Sequence, residues 1–221
     1  MKFKFKRSAA ISAVLIVLFA VWTFLIKTVD VKLAGVNATY IGFSTINVCF
    51  HSLTGVDMAL YNITDWLGLV PVFICMIFAA IGAIQLVKRK SIFKVDADII
   101  ILGVYYVLVI LCYLLFEMIP LNYRPVLING VAESSYPSST TLLVLSVMPT
   151  PVFQLYLRSK NKTAQRIAFI VALLFSLFMV LGRLVSGVHW LTDIIGSVLL
   201  SAGLFYAYKA VCFRLLKNKE I

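Results

Sequence analysis

Charge is scarce in this sequence. Only 13% of its 221 residues are Asp, Glu, Lys or Arg, where a soluble domain carries about one-quarter, and 62% are hydrophobic. That excludes a water-solvated globule, because one small core cannot bury so much apolar surface. With a mean hydropathy of +1.01, lipid must be the solvent for much of the chain. Acidic residues are the scarcest class, nine against 20 basic, leaving a formal net charge of +11. In a soluble protein this excess would point to nucleic acid. Here the positive charge falls in short patches between apolar runs, which is how membrane topology is encoded, so no nucleic-acid partner is expected. Cysteine is limited to Cys49, Cys75, Cys112 and Cys212, without metal-ligand spacing. They read as small packing residues, with no disulfide, metal site or cofactor expected. Internal repeats, low-complexity tracts and a second domain are also absent, so residues 1–221 read as one membrane domain.

Six apolar runs approach the roughly 20 residues that a helix needs to cross the hydrocarbon core. They lie near 8–26, 67–87, 99–118, 140–157, 167–186 and 191–213. The first follows Met1-Lys2-Phe3-Lys4-Phe5-Lys6-Arg7. It is longer than a signal-peptide core and lacks an evident small-x-small cleavage site, so it reads as a membrane helix. The fourth contains Pro149-Thr150-Pro151, which predicts a kink or local unwinding. The expected architecture is all-α, a bundle of six transmembrane helices.

Six helices sort the basic residues sharply. Sixteen of the 20 fall before the first span, in the second-to-third and fourth-to-fifth connections, and near the end of the sixth span and beyond it. Lys27, Lys32, Arg124 and Arg183 fall on the other side. The positive-inside rule then predicts cytoplasmic termini in a plasma membrane. The long outer connection, 27–66, mixes apolar and polar residues from Ser44 to Trp66 and predicts an amphipathic interfacial helix.

Three polar clusters gather at helix ends on the predicted outer face. The first runs from Glu117 to Pro125 and includes Arg124. The second runs from Glu133 to Thr141, where Ser138, Ser139 and Thr140 can cap the fourth span and leave free N–H groups for an anion. The third runs from Gly182 to Asp193. His189 and Asp193 are four apart and share a helix face, so the carboxylate can accept the Nδ1–H and leave Nε2 bare as a nucleophile. Arg183 and Arg124 offer planar, permanently charged forks suited to phosphate oxygens. Singly, each feature is an ordinary cap, anchor or structural hydrogen bond. Together on one face they point to phosphoryl chemistry.

At these residues the chain resembles the type 2 phosphatidic acid phosphatase (PAP2) superfamily of membrane lipid phosphatases. The family's third motif, Ser-Arg-x5-His-x3-Asp, is matched by Gly182-Arg183, His189 and Asp193 with the same spacing. Arg124-Pro125 matches the end of the first motif, Lys-x6-Arg-Pro. Pro137-Ser138-Ser139 follows the second, Pro-Ser-Gly-His, to its third position. The resemblance implies a PAP2-like helical core and a metal-independent lipid phosphatase at the extracytoplasmic face. It further implies that His189 forms a phosphohistidine, that Asp193 orients it, and that Arg124, Arg183, Ser138 and nearby backbone N–H groups hold the phosphate. Two positions depart: Glu117 replaces the first-motif Lys, and Thr140 replaces the second-motif His, the usual general acid. Glu117, Glu133 and His51 are alternative acids, although Glu117 can equally pair with Arg124. A phosphate leaving group, with a second pKa near roughly 6, departs without protonation. A diphosphate lipid such as a polyprenyl diphosphate is therefore the expected substrate. A non-catalytic relative that binds or moves a lipid phosphate is the other reading.

Overall fold

The computed structural model describes residues 2–216, and all the long elements are helices. α1 is Lys2–Thr28. After a two-residue hairpin, Lys32–Leu33 with Tyr40–Ile41, come α2 (Ser44–Thr54), α3 (Met58–Leu67) and α4 (Leu69–Arg89). α5 (Ala97–Met118), α6 (Ser139–Val147), α7 (Pro149–Arg158), α8 (Lys162–Val185) and α9 (Leu191–Leu215) follow. Six helical segments are long and apolar enough to cross a membrane: α1, α3 with α4, α5, α6 with α7, α8 and α9. The stretch from 44 to 66, expected as a single interfacial helix, forms two helices separated at Gly55, φ +63°, and the second runs on into the span formed with α4.

Burial is inverted relative to a soluble bundle, as the composition requires. Large apolar side chains such as Phe24, Val87 and Leu174 lie on the outside, while Ser12, Ser146, Thr150, Ser197 and Ser201 are buried. Small and hydroxylated residues let membrane helices approach closely and bond across the contact. α1 and α9 pack along their length in this way. Ser12 Oγ donates to the Gly203 carbonyl at 2.8 Å, and a Cβ on Gly203 would stand only 2.7 Å from Ile16 Cδ1.

The proline pair divides the fourth span at Met148, where α6 ends and α7 begins with Pro149 at its first turn. Pro151 has no N–H for the carbonyl of Val147, four residues earlier. The Thr150 hydroxyl replaces that donor, reaching the Val147 carbonyl at 2.7 Å, and the Tyr106 hydroxyl lies 2.6 Å from Thr150 Oγ1. A broken helix inside a membrane is tolerated where side chains satisfy the freed backbone in this manner.

At the end of the bundle where α8 gives way to α9, the α2–α3 hairpin seats on the connecting turn. Asn47 is fully buried, donates to Thr192 Oγ1 at 3.0 Å and accepts from the Thr192 N–H at 3.3 Å. The Asp57 N–H donates to the Ser186 carbonyl at 3.0 Å, and His51 Nε2 stands 3.1 Å from the Gly187 carbonyl. Gly187 has φ +67°, and a Cβ there would lie 1.8 Å from the Gly55 carbonyl oxygen. Gly130 has φ +79° but open space around it. Gly187→Ala is therefore expected to combine backbone strain with displacement of the hairpin, costing about 2 kcal/mol or more, whereas Gly130→Ala incurs only the strain, about 1 kcal/mol. Thermal unfolding in detergent should show the larger drop for Gly187→Ala.

Candidate active site

The turn between α8 and α9 carries His189, and three separate segments bury it. Residues 122–124 pair in antiparallel fashion with 133–135: the Arg124 N–H donates to the Glu133 carbonyl at 3.0 Å, and the Ser135 N–H to the Asn122 carbonyl at 2.9 Å. Trp190 Nε1 ties the turn to this pairing by donating to the Tyr123 carbonyl at 2.8 Å. The α2–α3 hairpin closes the remaining side.

His189 is 3% exposed. Its Nδ1 stands 3.2 Å from the Ser135 carbonyl, an acceptor only, so Nδ1 carries the proton and Nε2 keeps its lone pair. The spacing of His189 and Asp193 predicts the carboxylate as that acceptor. In the structure Asp193 Oδ2 is 3.7 Å from Nδ1, beyond ordinary hydrogen-bond reach, and instead accepts the Trp190 N–H at 2.9 Å. Asp193 thus holds the backbone entering α9, and the Ser135 carbonyl holds the ring. Burial first, then the charges of Arg124 and Arg183, push the His189 pKa well below 6.5; the Ser135 hydrogen bond opposes them. The imidazole is neutral at physiological pH.

Both arginines lie against one aromatic ring. The guanidinium carbons of Arg183 and Arg124 are 4.6 and 5.7 Å from the ring centroid of Tyr61 in α3. Arg183 is 1% exposed, and its Nη1 makes long contacts with Asp65 Oδ1 at 3.4 Å, Thr64 Oγ1 at 3.5 Å and the Tyr61 carbonyl at 3.5 Å. Arg124 Nη2 pairs with Glu133 at 3.2 Å. Arg124 Nη1, Arg183 Nε and His189 Nε2 are buried without a protein partner. Two positive N–H donors and one bare nitrogen lone pair in a dry site are the complement of an anion with an electrophilic centre.

The remaining expected residues divide. Ser138 is fully buried, and its hydroxyl donates to Thr141 Oγ1 at 3.0 Å while its backbone N–H reaches the Asp193 carbonyl at 3.4 Å. Ser139 and Thr140, at the start of α6, line an apolar cavity of about 400 Å³ together with Asp65, Val72, Tyr106 and Leu143. Glu117 is exposed in the last turn of α5 and forms no ion pair among the described residues. The expected Glu117–Arg124 pair is replaced by Glu133–Arg124, because the antiparallel pairing sets Arg124 beside Glu133. His51 packs on Trp190, with ring centroids 5.6 Å apart, as a support of the turn. Tyr61, Thr64, Asp65, Asn122 and the Ser135 carbonyl carry no spacing signal in the sequence. Among the described residues no three His, Cys, Asp or Glu side chains group as metal ligands would.

The helical fold agrees with comparisons to known proteins. Curated protein sequences give no significant match. Among solved structures, a transmembrane PAP2-type phosphatidylglycerolphosphate phosphatase from Bacillus subtilis superposes with a TM-score of 0.67 at 17% identity, covering 92% of this chain and 96% of that one. The family model of the PAP2 superfamily matches residues 104–217, more than half of the 221 and spanning the stretches that supply Arg124, Arg183 and His189. The chain belongs to the PAP2 superfamily.

Proposed function

We propose that this protein is a membrane lipid phosphatase or diphosphatase that acts at the extracytoplasmic face through a phosphohistidine on His189. The observation that carries the reading is the buried neutral imidazole whose Nε2 is free beside two guanidinium groups. A site for binding alone has no use for an imidazole locked by the Ser135 carbonyl with its second nitrogen bare. Family membership and the phosphatase neighbour support the reaction class, and the apolar cavity adjoining Ser139 and Thr140 supports a lipid chain. The distribution of basic residues supports a plasma-membrane topology with both termini cytoplasmic.

In the proposed reaction Arg124 and Arg183 hold the non-bridging phosphate oxygens. Nε2 attacks phosphorus along the line opposite the leaving oxygen, forming an N–P bond as the P–O bond breaks. The electron pair leaves on that oxygen. Water then adds to phosphorus and the N–P bond breaks, releasing phosphate and restoring His189. Thr140, at the family's general-acid position, is a poor proton donor at neutral pH. An alkoxide leaving group needs that proton, whereas a phosphate does not. Polyprenyl diphosphates are therefore preferred to lipid phosphomonoesters.

Purified protein should release phosphate from a lipid diphosphate, and His189→Ala should reduce this to background. Denaturing capture of acid-labile phosphate on His189 during turnover would confirm the intermediate. Silence of the wild type toward a broad panel of lipid phosphates would instead favour a non-catalytic lipid-phosphate binder, the reading that Glu117 and Thr140 favour. Diphosphate should be turned over faster than the matching monoester by roughly 10²-fold or more, the low end of what a general acid contributes; a monoester preference would count against this substrate assignment.

The pH dependence has a definite sign. The folded pKa of His189 lies below the unfolded value of 6.5, so the unfolded chain binds more protons once the pH drops below 6.5. This contribution to stability is complete above 6.5 and declines as the pH falls toward the folded value. Thermal midpoints measured against pH should show this decline in the wild type and lose it in His189→Gln. The free-enzyme acid limb of kcat/KM should likewise lie below pH 6.5.

A further inference from the structure

A second cavity lies away from His189. About 670 Å³ in volume, it opens between the first turns of α1, α7, the middle of α8 and the far half of α9. Lys209, on its wall, is 18 residues beyond Leu191 on α9, which places it about 27 Å along the helix from the His189 turn. The volume falls within the range of about 300–1,000 Å³ typical of ligand pockets.

Its lining has two parts. Three cations, Lys4, Arg7 and Lys209, stand among aromatic rings, and no acidic side chain is present. Lys4 Nζ donates to the Tyr156 hydroxyl at 2.5 Å, and Lys209 Nζ lies 4.8 Å from the ring centroid of Tyr206. Ile11, Leu145 and Val152 make the other walls apolar. On α8 the cavity borders Phe169 and Leu173, which are 54% and 43% exposed on the apolar outer face, so it opens sideways toward hydrocarbon.

Two other cations at this end of the bundle are neutralised by carboxylates. Arg89 pairs with Asp96 at 2.6 Å, and Arg158 pairs with Asp98 at 2.6 Å and Asp96 at 3.2 Å. Lys4, Arg7 and Lys209 have no carboxylate partner among the described residues. Cations over an apolar, laterally open slot match the shape and charge of a phospholipid with an anionic head. A water-soluble anion would leave the apolar walls without a partner.

We infer that this cavity binds an anionic phospholipid of the leaflet opposite the His189 site. The head-group phosphate sits on Lys4, Arg7 and Lys209, and a chain lies between α7 and α8. This site takes its lipid from the other leaflet and performs no reaction on it.

The test uses the full chain in nonionic detergent, titrated with dioleoylphosphatidylglycerol, dioleoylphosphatidylcholine or glycerol 1-phosphate. Retained lipid is counted by native mass spectrometry and stabilisation by thermal midpoint. Phosphatidylglycerol should be retained and raise the midpoint in the wild type and in the double variant Arg124→Gln, Arg183→Gln alike, so a lipid held at the His189 site is not what is read. The triple variant Lys4→Gln, Arg7→Gln, Lys209→Gln should bind it roughly 30- to 100-fold more weakly. Its midpoint without added lipid, close to that of the wild type, verifies folding. Ser176→Phe, which fills part of the cavity without altering charge, should weaken the same binding. Equal retention of phosphatidylcholine, equally tight binding of glycerol 1-phosphate, or undiminished binding by the triple variant would each overturn the assignment.

Discussion

Two guanidinium groups share one aromatic ring beside a buried imidazole, and this end of the bundle is organised around keeping them there. Their distances to the Tyr61 centroid place them within about 10 Å of each other. At an effective dielectric near 20 that repulsion is on the order of 1–2 kcal/mol or more. Glu133 offsets it for Arg124, and Asp65, Thr64 and the Tyr61 carbonyl offset it for Arg183. The negative face of the Tyr61 ring serves both. None of these partners saturates the forks: Arg124 Nη1 and Arg183 Nε are left buried without a protein partner, as is His189 Nε2.

The inverted distribution of polarity makes such a cluster feasible. With hydrocarbon outside, the interior can be lined with hydroxyl groups, and the α1–α9 contact closes through Ser12 and Gly203. The Thr150 hydroxyl substitutes for the missing N–H of Pro151, so the fourth span bends where two prolines demand it without exposing a bare carbonyl. The superposition on the bacterial phosphatase agrees with the helix order, and the family model covers the stretch from α5 to α9.

What the sequence revealed and what it hid follow from the range of the interactions. Apolar runs are local, so all six spans were legible, with the break at Pro149-Thr150-Pro151. Motif spacing is local too, so Arg183 and His189 were recognisable and Arg124 followed from the dipeptide with Pro125. Pairing across space was not legible. Glu117 and Glu133 are both acids near Arg124 in sequence, and only the backbone pairing of 122–124 with 133–135 selects Glu133. A His and an Asp four apart read as a hydrogen-bonded pair. The backbone of Ser135, with no side-chain signature, takes that place. Tyr61, Thr64 and Asp65 belong to a segment whose composition marks a helix but not its docking site.

The α2–α3 hairpin carries a consequence for biosynthesis. Its contacts with the His189 turn join residues 145, 136 and 118 positions apart, through Asn47 with Thr192, His51 with Gly187, and Asp65 with Arg183. A chain emerging from the ribosome makes the hairpin early and must hold it at the membrane surface until the final helix is threaded into the bilayer. The His189 site is therefore the last part of the molecule to assemble, and a nascent chain halted before its final helix lacks it.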